Sequence, residues 1–141
     1  MKSQNLICGV DVSKDTLDLY YNDGQVREHY LKISNNVAGH RSLLKKLGTD
    51  RTYLMESSGP YYLRLAFAIK SLDGDVRVES PIALKRFIQM HLERNKSDKK
   101  DARWLYFYAK HRETSEWKLP LRNSCIARSS WAALIYIAAN L

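Results

Sequence analysis

Leu6 to Val12, Leu-Ile-Cys-Gly-Val-Asp-Val, is short, β-prone and apolar on both faces, with Asp11 the exception, which predicts a central strand covered from both sides. After the polar turn Ser13-Lys14-Asp15, residues Thr16 to Tyr21 alternate polar and apolar, the period of a strand with one face buried. Asn22-Asp23-Gly24 supplies a hairpin turn and Gln25 to Ile33 a third strand, so the chain opens as a three-strand meander. Ser34-Asn35-Asn36 is a helix-capping cluster, followed by Val37, His40, Leu43, Leu44 and Leu47 at helical spacing until Gly48 stops the run. Thr52 to Met55 then predicts a brief strand ending at Glu56, with Ser57-Ser58-Gly59 as its turn and Pro60 where a first helical turn tolerates it. Leu63, Phe67 and Ile69 to Leu72 give the next helix its apolar face, and Asp73-Gly74 ends it. Val76 to Val78 is a last short strand, and Ser80-Pro81 opens a helix through Ile82, Leu84, Phe87 and Ile88. The order βββαβαβα predicts an α/β domain, a mixed sheet with helices packed on it. Ser97-Asp98 caps one more helix, through Ala102, Leu105, Tyr106 and Ala109, and the segment beyond Pro120 fits no element.

A length of 141 residues allows one domain with a core and leaves little for a second, so one folded unit with a C-terminal appendage is expected. No stretch approaches the roughly 20 uninterrupted apolar residues of a membrane span, and Met1 to Asn5 lacks the order of a secretory signal; a cytoplasmic protein is expected. Cys8 and Cys125 have no disulfide or zinc spacing, and Cys8 reads as a buried thiol. Charge changes the picture more. The net charge of +8 is uneven: residues 81–112 carry 9 basic and 3 acidic side chains, whereas residues 1–80 carry 11 and 10. A polyanion-facing surface explains that concentration better than a solubility charge, which would be spread evenly.

The acidic residues suggest chemistry. Asp11 lies in an apolar strand, Glu56 ends another, and Asp98 and Asp101 are three apart on one helical face. Carboxylates beside a core are costly to ionise, which raises the question of a compensating cation. If the two strands are neighbours and the helix docks across their ends, the four converge into the all-oxygen environment that Mg²⁺ or Mn²⁺ prefers. Two ions held about 3.5–4 Å apart assist in-line displacement at phosphorus. Each residue has a plainer reading: Asp11 as a turn cap, Glu56 as the partner of a basic side chain, Asp98 and Asp101 as helix starters. The histidines, including His40 and His91, read as core or surface residues, and no Walker-type phosphate loop is present.

Three segments, Gly9-Val10-Asp11-Val12-Ser13-Lys14, Met55-Glu56-Ser57-Ser58-Gly59 with Tyr61, and Lys96-Ser97-Asp98-Lys99-Lys100-Asp101-Ala102, together resemble the N-terminal domain of the DEDD transposases. These are the Piv/MooV-type insertion-sequence enzymes, also called bridge-RNA-guided recombinases. The resemblance spans roughly residues 5–112. It implies a RuvC-like version of the ribonuclease H fold whose Asp, Glu, Asp, Asp set binds magnesium, here Asp11, Glu56, Asp98 and Asp101. It also makes Lys14, Lys96, Lys99, Lys100 and Arg103 candidates for nucleic-acid contact, alongside Lys85, Arg86 and Arg94 of the basic stretch, which would face DNA or a guide RNA. Binding driven by counterion release is salt-sensitive. Trp104, Tyr106 and Tyr108 interleave with these charges, a pattern that permits base stacking and equally suits core packing.

The expected division is a nuclease domain over 1–112 and a tail over 113–141. Relatives continue through a coiled-coil-like region into a domain with a nucleophilic serine, and the tail lacks such heptads, which suggests a truncation or shifted frame. Ser124, Ser129 and Ser130 match no nucleophile motif. The main expectation is a metal-dependent transposase nuclease domain acting on DNA near the nucleoid, as a homo-oligomer or with full-length subunits. Its alternatives are a stand-alone junction resolvase and a non-catalytic, inhibitory partner that docks through Trp131, Leu134, Ile135 and Ile137.

Overall fold

The computed structural model describes residues 5–25, 27–91 and 98–118, the last span without the side chains of 98–100. Strands β1 (Ile7–Val12), β2 (Thr16–Asn22) and β3 (Glu28–Ser34) form the expected meander, and helix α1 (Val37–Leu47) leads to β4 (Thr52–Glu56). A 3₁₀ turn at Pro60–Tyr62 runs into α2 (Leu63–Ser71), then come β5 (Asp75–Glu79), α3 (Pro81–Met90) and α4 (Asp98–His111). The five strands lie in the order β3-β2-β1-β4-β5, antiparallel through the meander and parallel from β1 to β4 and β5.

The caps work as their residue types dictate. Asn36 accepts the amide N–H of Gly39 at 2.8 Å, and Ser80 accepts that of Ala83 at 3.2 Å. Gly48 closes α1 at φ 75°, a conformation that strains any residue with a Cβ.

Two layers of helix sandwich the sheet. On one face Cys8, Val10, Leu17, Leu19, Tyr53, Met55 and Val76 pack with Leu43 and Leu47 of α1 and Leu65, Ala66 and Ile69 of α2. On the other, Leu54 meets Leu84 and Phe87 of α3 and Leu105 and Tyr108 of α4, while Ile7 and Tyr20 meet Ala102 and Tyr106. Each of the Leu, Ile, Val, Met and Phe side chains among them contributes about 1.5–3 kcal/mol when removed from water.

Three expectations are corrected. β2 is not half-exposed: α4 covers its polar face, and every residue from Leu17 to Asn22 is buried. In α2 the buried positions are Leu63, Leu65, Ala66, Ala68 and Ile69, whereas Phe67 is only half-buried and Leu72 is exposed, because the helix ends at Ser71. Ile82 also faces outward, on the side of α3 away from Leu84 and Phe87. Cys8 is buried and its thiol is pushed up to about 12 by desolvation, only partly offset by the Arg51 charge. Cys125 and the rest of 119–141 lie outside the described residues.

Residues 114–117 lie against the body. Arg77 donates to the Thr114 carbonyl, Lys70 pairs with Glu116, and Trp117 N–H donates to the Val76 carbonyl at 2.7 Å. No helix among the described residues is long and apolar enough to cross a membrane.

Candidate active site

The site is built where β1 and β4 end side by side. Their parallel register pairs Gly9 with Leu54 and ends at Val10 with Met55, and Asp11 and Glu56 each follow that last pair by one residue. Side chains alternate along a strand, so Asp11 shares a face with Gly9 and Glu56 shares one with Leu54. Both belong to the α4 face. A Cβ on Gly9 would stand 2.4 Å from the Ala102 carbonyl oxygen and 2.4 Å from the Tyr106 nitrogen, and Leu54 packs on Leu105. The contact with Ala102 brings its neighbour Asp101 to the same end of the sheet. Glu56 and Asp101 accordingly line one cavity of about 380 Å³, with Pro81, Leu84, Lys85, Ile88 and Gln89 of α3. Asp11, Glu56 and Asp101 are all partly exposed.

Asp98 opens α4, one turn before Asp101, with its side chain outside the described residues. Among the described residues no three His, Cys, Asp or Glu side chains stand close enough to hold a metal ion. The donor chemistry still fits a hard cation, since Glu56 and Asp101 offer carboxylate oxygen and the described residues lining the cavity include no thiol or imidazole.

The basic candidates divide. Lys85 lines the cavity with the two carboxylates, Arg86 is exposed on α3, and Lys14 is exposed in the turn after β1. Arg103 lies over the rings of Tyr20 and Phe107, at 6.0 and 5.1 Å from their centroids. Lys99 and Lys100 are in α4 with side chains outside the described residues, as are Arg94 and Lys96 altogether. Tyr106 and Tyr108 are core residues, and Trp104 is half-buried edge-on to Phe87.

Two features escaped the sequence reading. Asp18 pairs with Asp11 across β1 and β2 on the same face, and it is only 2% exposed. Like charges directly opposite one another repel. The Tyr30 hydroxyl donates to Asp18, and the Lys32 ammonium lies 3.9 Å away, which offsets part of that cost. Alternation along Thr16–Tyr21 marked Asp18 as solvent-facing, so nothing local signalled its burial.

The second feature is a brace behind the site. The Asn35 amide donates to the carbonyls of Ser13 at 2.8 Å and Tyr61 at 3.3 Å, tying together the loops that follow β1 and β4. Its side-chain oxygen lies 2.7 Å from His40 Nε2; an amide oxygen only accepts, so the imidazole carries its proton on Nε2. Asn35 reads locally as part of a capping cluster, while the cap itself is Asn36. Asn35→Ala is expected to lower stability by about 2 kcal/mol, because it strands two carbonyls and a buried N–H. Urea unfolding measures this, and a loss under about 0.5 kcal/mol, the least a typical hydrogen bond contributes, would deny the brace its role.

A family profile for DEDD transposases of the IS110 type, described as a transposase, matches residues 8–125. The chain belongs to this family. Solved structures agree on the fold of this transposase domain. It is similar to Thermus thermophilus RuvC in complex with a Holliday junction substrate, with TM-score 0.59 and 13% identity over 81% of this chain and 100% of that one. It is likewise similar to another Thermus thermophilus RuvC structure, with TM-score 0.55 and 14% identity over 79% and 99%. Among curated proteins none matches the sequence. The fold is therefore a RuvC-like, ribonuclease H-like mixed sheet flanked by helices, as the motifs implied.

Proposed function

We propose that this transposase domain is a metal-dependent nuclease in which Asp11, Glu56, Asp98 and Asp101 hold Mg²⁺ or Mn²⁺ for DNA cleavage and strand transfer during insertion-sequence transposition. The observation that carries this reading is the register of β1 and β4. It supports the reading by bringing the strand ends that carry Asp11 and Glu56 to the sheet end against which α4 carries Asp101. Held by these carboxylates, such ions would supply activation of the attacking oxygen and stabilisation of the leaving one in an in-line displacement at phosphorus. The chain's own part is orientation. Strand ends fix two carboxylates, the Gly9 contact fixes the helix bearing the others, and buried Asp18 stands across from Asp11 on β2.

The proposed nuclease unit is residues 1–112, with 113–141 as a tail. DNA is the proposed partner, held through Lys14, Lys85, Arg86, Arg94, Lys96, Lys99, Lys100 and Arg103, with a guide RNA as a second polyanion. Assembly would be with itself or with full-length subunits, at the nucleoid. A junction resolvase is the second reading. It is favoured by the RuvC neighbour, which is described with a Holliday junction substrate and is covered along its whole length. Cleavage of four-way junctions by this chain alone separates it from the first.

Saturating Mg²⁺ or Mn²⁺ is expected to raise the melting temperature. At a hundred times Kd the gain is about 2.7 kcal/mol, roughly 8 °C for a domain of this size. Asp11→Asn removes one ligand charge and is expected to abolish the rise. An equal rise in the variant would move the cation elsewhere.

A further inference from the structure

We propose that the cavity between α3 and the carboxylates takes a single unstacked nucleobase, next to the phosphate that a cation at Glu56 and Asp101 would hold. This rests on the nuclease reading above and adds to it the state of the nucleotide beside the reacting phosphate. Leu84, Lys85, Ile88 and Gln89 recur at the spacing that gathers side chains on one face of a helix, and all four line the cavity. Leu84, only 5% exposed, and half-buried Ile88 make its apolar floor. Lys85 and Gln89 are exposed at its rim.

The wall chemistry selects the occupant. Its volume of about 380 Å³ lies near the low end of the roughly 300–1,000 Å³ of small-molecule sites, room for one base with its sugar and none for a duplex. An acidic peptide presents no flat apolar face to Leu84 and Ile88, and a purely apolar side chain would leave both carboxylates desolvated. A nucleotide satisfies every wall at once: a flat apolar face against Leu84 and Ile88, and polar base edges toward the Gln89 amide, which both donates and accepts. Its phosphate would reach the carboxylate end only through the cation of the proposed nuclease site, with its backbone charge near Lys85. A base can reach this cavity only by leaving its stack, so the strand is splayed beside the phosphate.

Amide NMR on the full chain tests this, with Mg²⁺ added first and then either a deoxynucleoside 5′-monophosphate or 2-deoxyribose 5-phosphate, which lacks the base. Mg²⁺ is expected to move signals at Asp11, Glu56 and Asp101. The nucleotide should then move Leu84, Lys85, Ile88 and Gln89 and bind about fivefold more tightly than the sugar phosphate, the gain from covering roughly 40 Å² of apolar base surface with Leu84 and Ile88. Ile88→Ala and Gln89→Ala, each checked for an unchanged fold by its spectrum, should bring the two ligands within twofold of each other. Equal binding of both ligands to the parent chain, or base-dependent shifts away from α3, would overturn the base site and leave the metal site standing. Carboxylate signals unmoved by Mg²⁺ would remove the nuclease reading and this one with it.

Discussion

Gly9→Ala should cost about 3 kcal/mol or more and lower the melting temperature by roughly 10 °C. The added methyl would meet the Ala102 carbonyl oxygen and the Tyr106 nitrogen, both at 2.4 Å, and the Leu105 carbonyl carbon at 3.0 Å. All three are backbone atoms of α4, so no rotamer change relieves the clash and the helix must withdraw as a body. That withdrawal loosens Ala102, Leu105 and Tyr106, which are buried to within 2%. It also carries Asp98 and Asp101 away from Asp11 and Glu56. The variant should therefore lose its cation-induced stabilisation together with its intrinsic stability, and truncating side chains on α4 should restore neither. A melting temperature within about 2 °C of the parent would mean that α4 does not seat on β1 at this point.

Acid should weaken the fold through one histidine. His40 is 4% exposed, and its pKa is lowered from 6.5 to about 4, chiefly by desolvation and secondarily by the charge of Arg64. Between those values the unfolded chain binds a proton that the native chain refuses, so stability rises with pH across that window and falls as pH drops from 6.5 toward 4. The whole effect is about 3 kcal/mol at 1.36 kcal/mol per unit. Carboxylates add their own acid dependence, so the informative quantity is the difference between the parent and His40→Gln, which keeps a donor for Asn35 but does not titrate. Urea melts from pH 7 to 4 should show that difference shrinking by about 3 kcal/mol as pH falls. Parallel curves would place His40 in a solvated, freely titrating environment. The brace gives this functional weight, because His40 holds Asn35, and Asn35 holds the loops after both carboxylate strands.

Much of the fold was legible because its signals are local. Helix caps at Asn36 and Ser80, the stop at Gly48 and the strand at Ile7–Val12 each follow from residue types within a few positions. The site was half legible. Asp11 and Glu56 stood out as charges at the ends of apolar strands, and Asp101 by its spacing from Asp98. Asp18 was invisible because alternation reports only that one face of a strand is polar, and it cannot say that a helix eighty residues later will cover that face. Lys85 was legible as part of a basic stretch, yet nothing in its spacing put it, or Gln89, across a cavity from Glu56.

Periodicity, capping residues and turn chemistry by themselves determined the order of strands and helices, where most of them end, and which acidic residues sit at strand ends. These properties are set by short-range sterics and hydrogen bonding, which a sequence carries explicitly. Tertiary structure alone decided that β1 and β4 are parallel neighbours, that their ends bring Asp11 and Glu56 to one end of the sheet, that α4 presses onto Gly9, and that Asp18 is buried. Those outcomes depend on contacts between residues 45 to 97 positions apart, and they are settled by how whole faces pack, a sum that no local window of the chain contains.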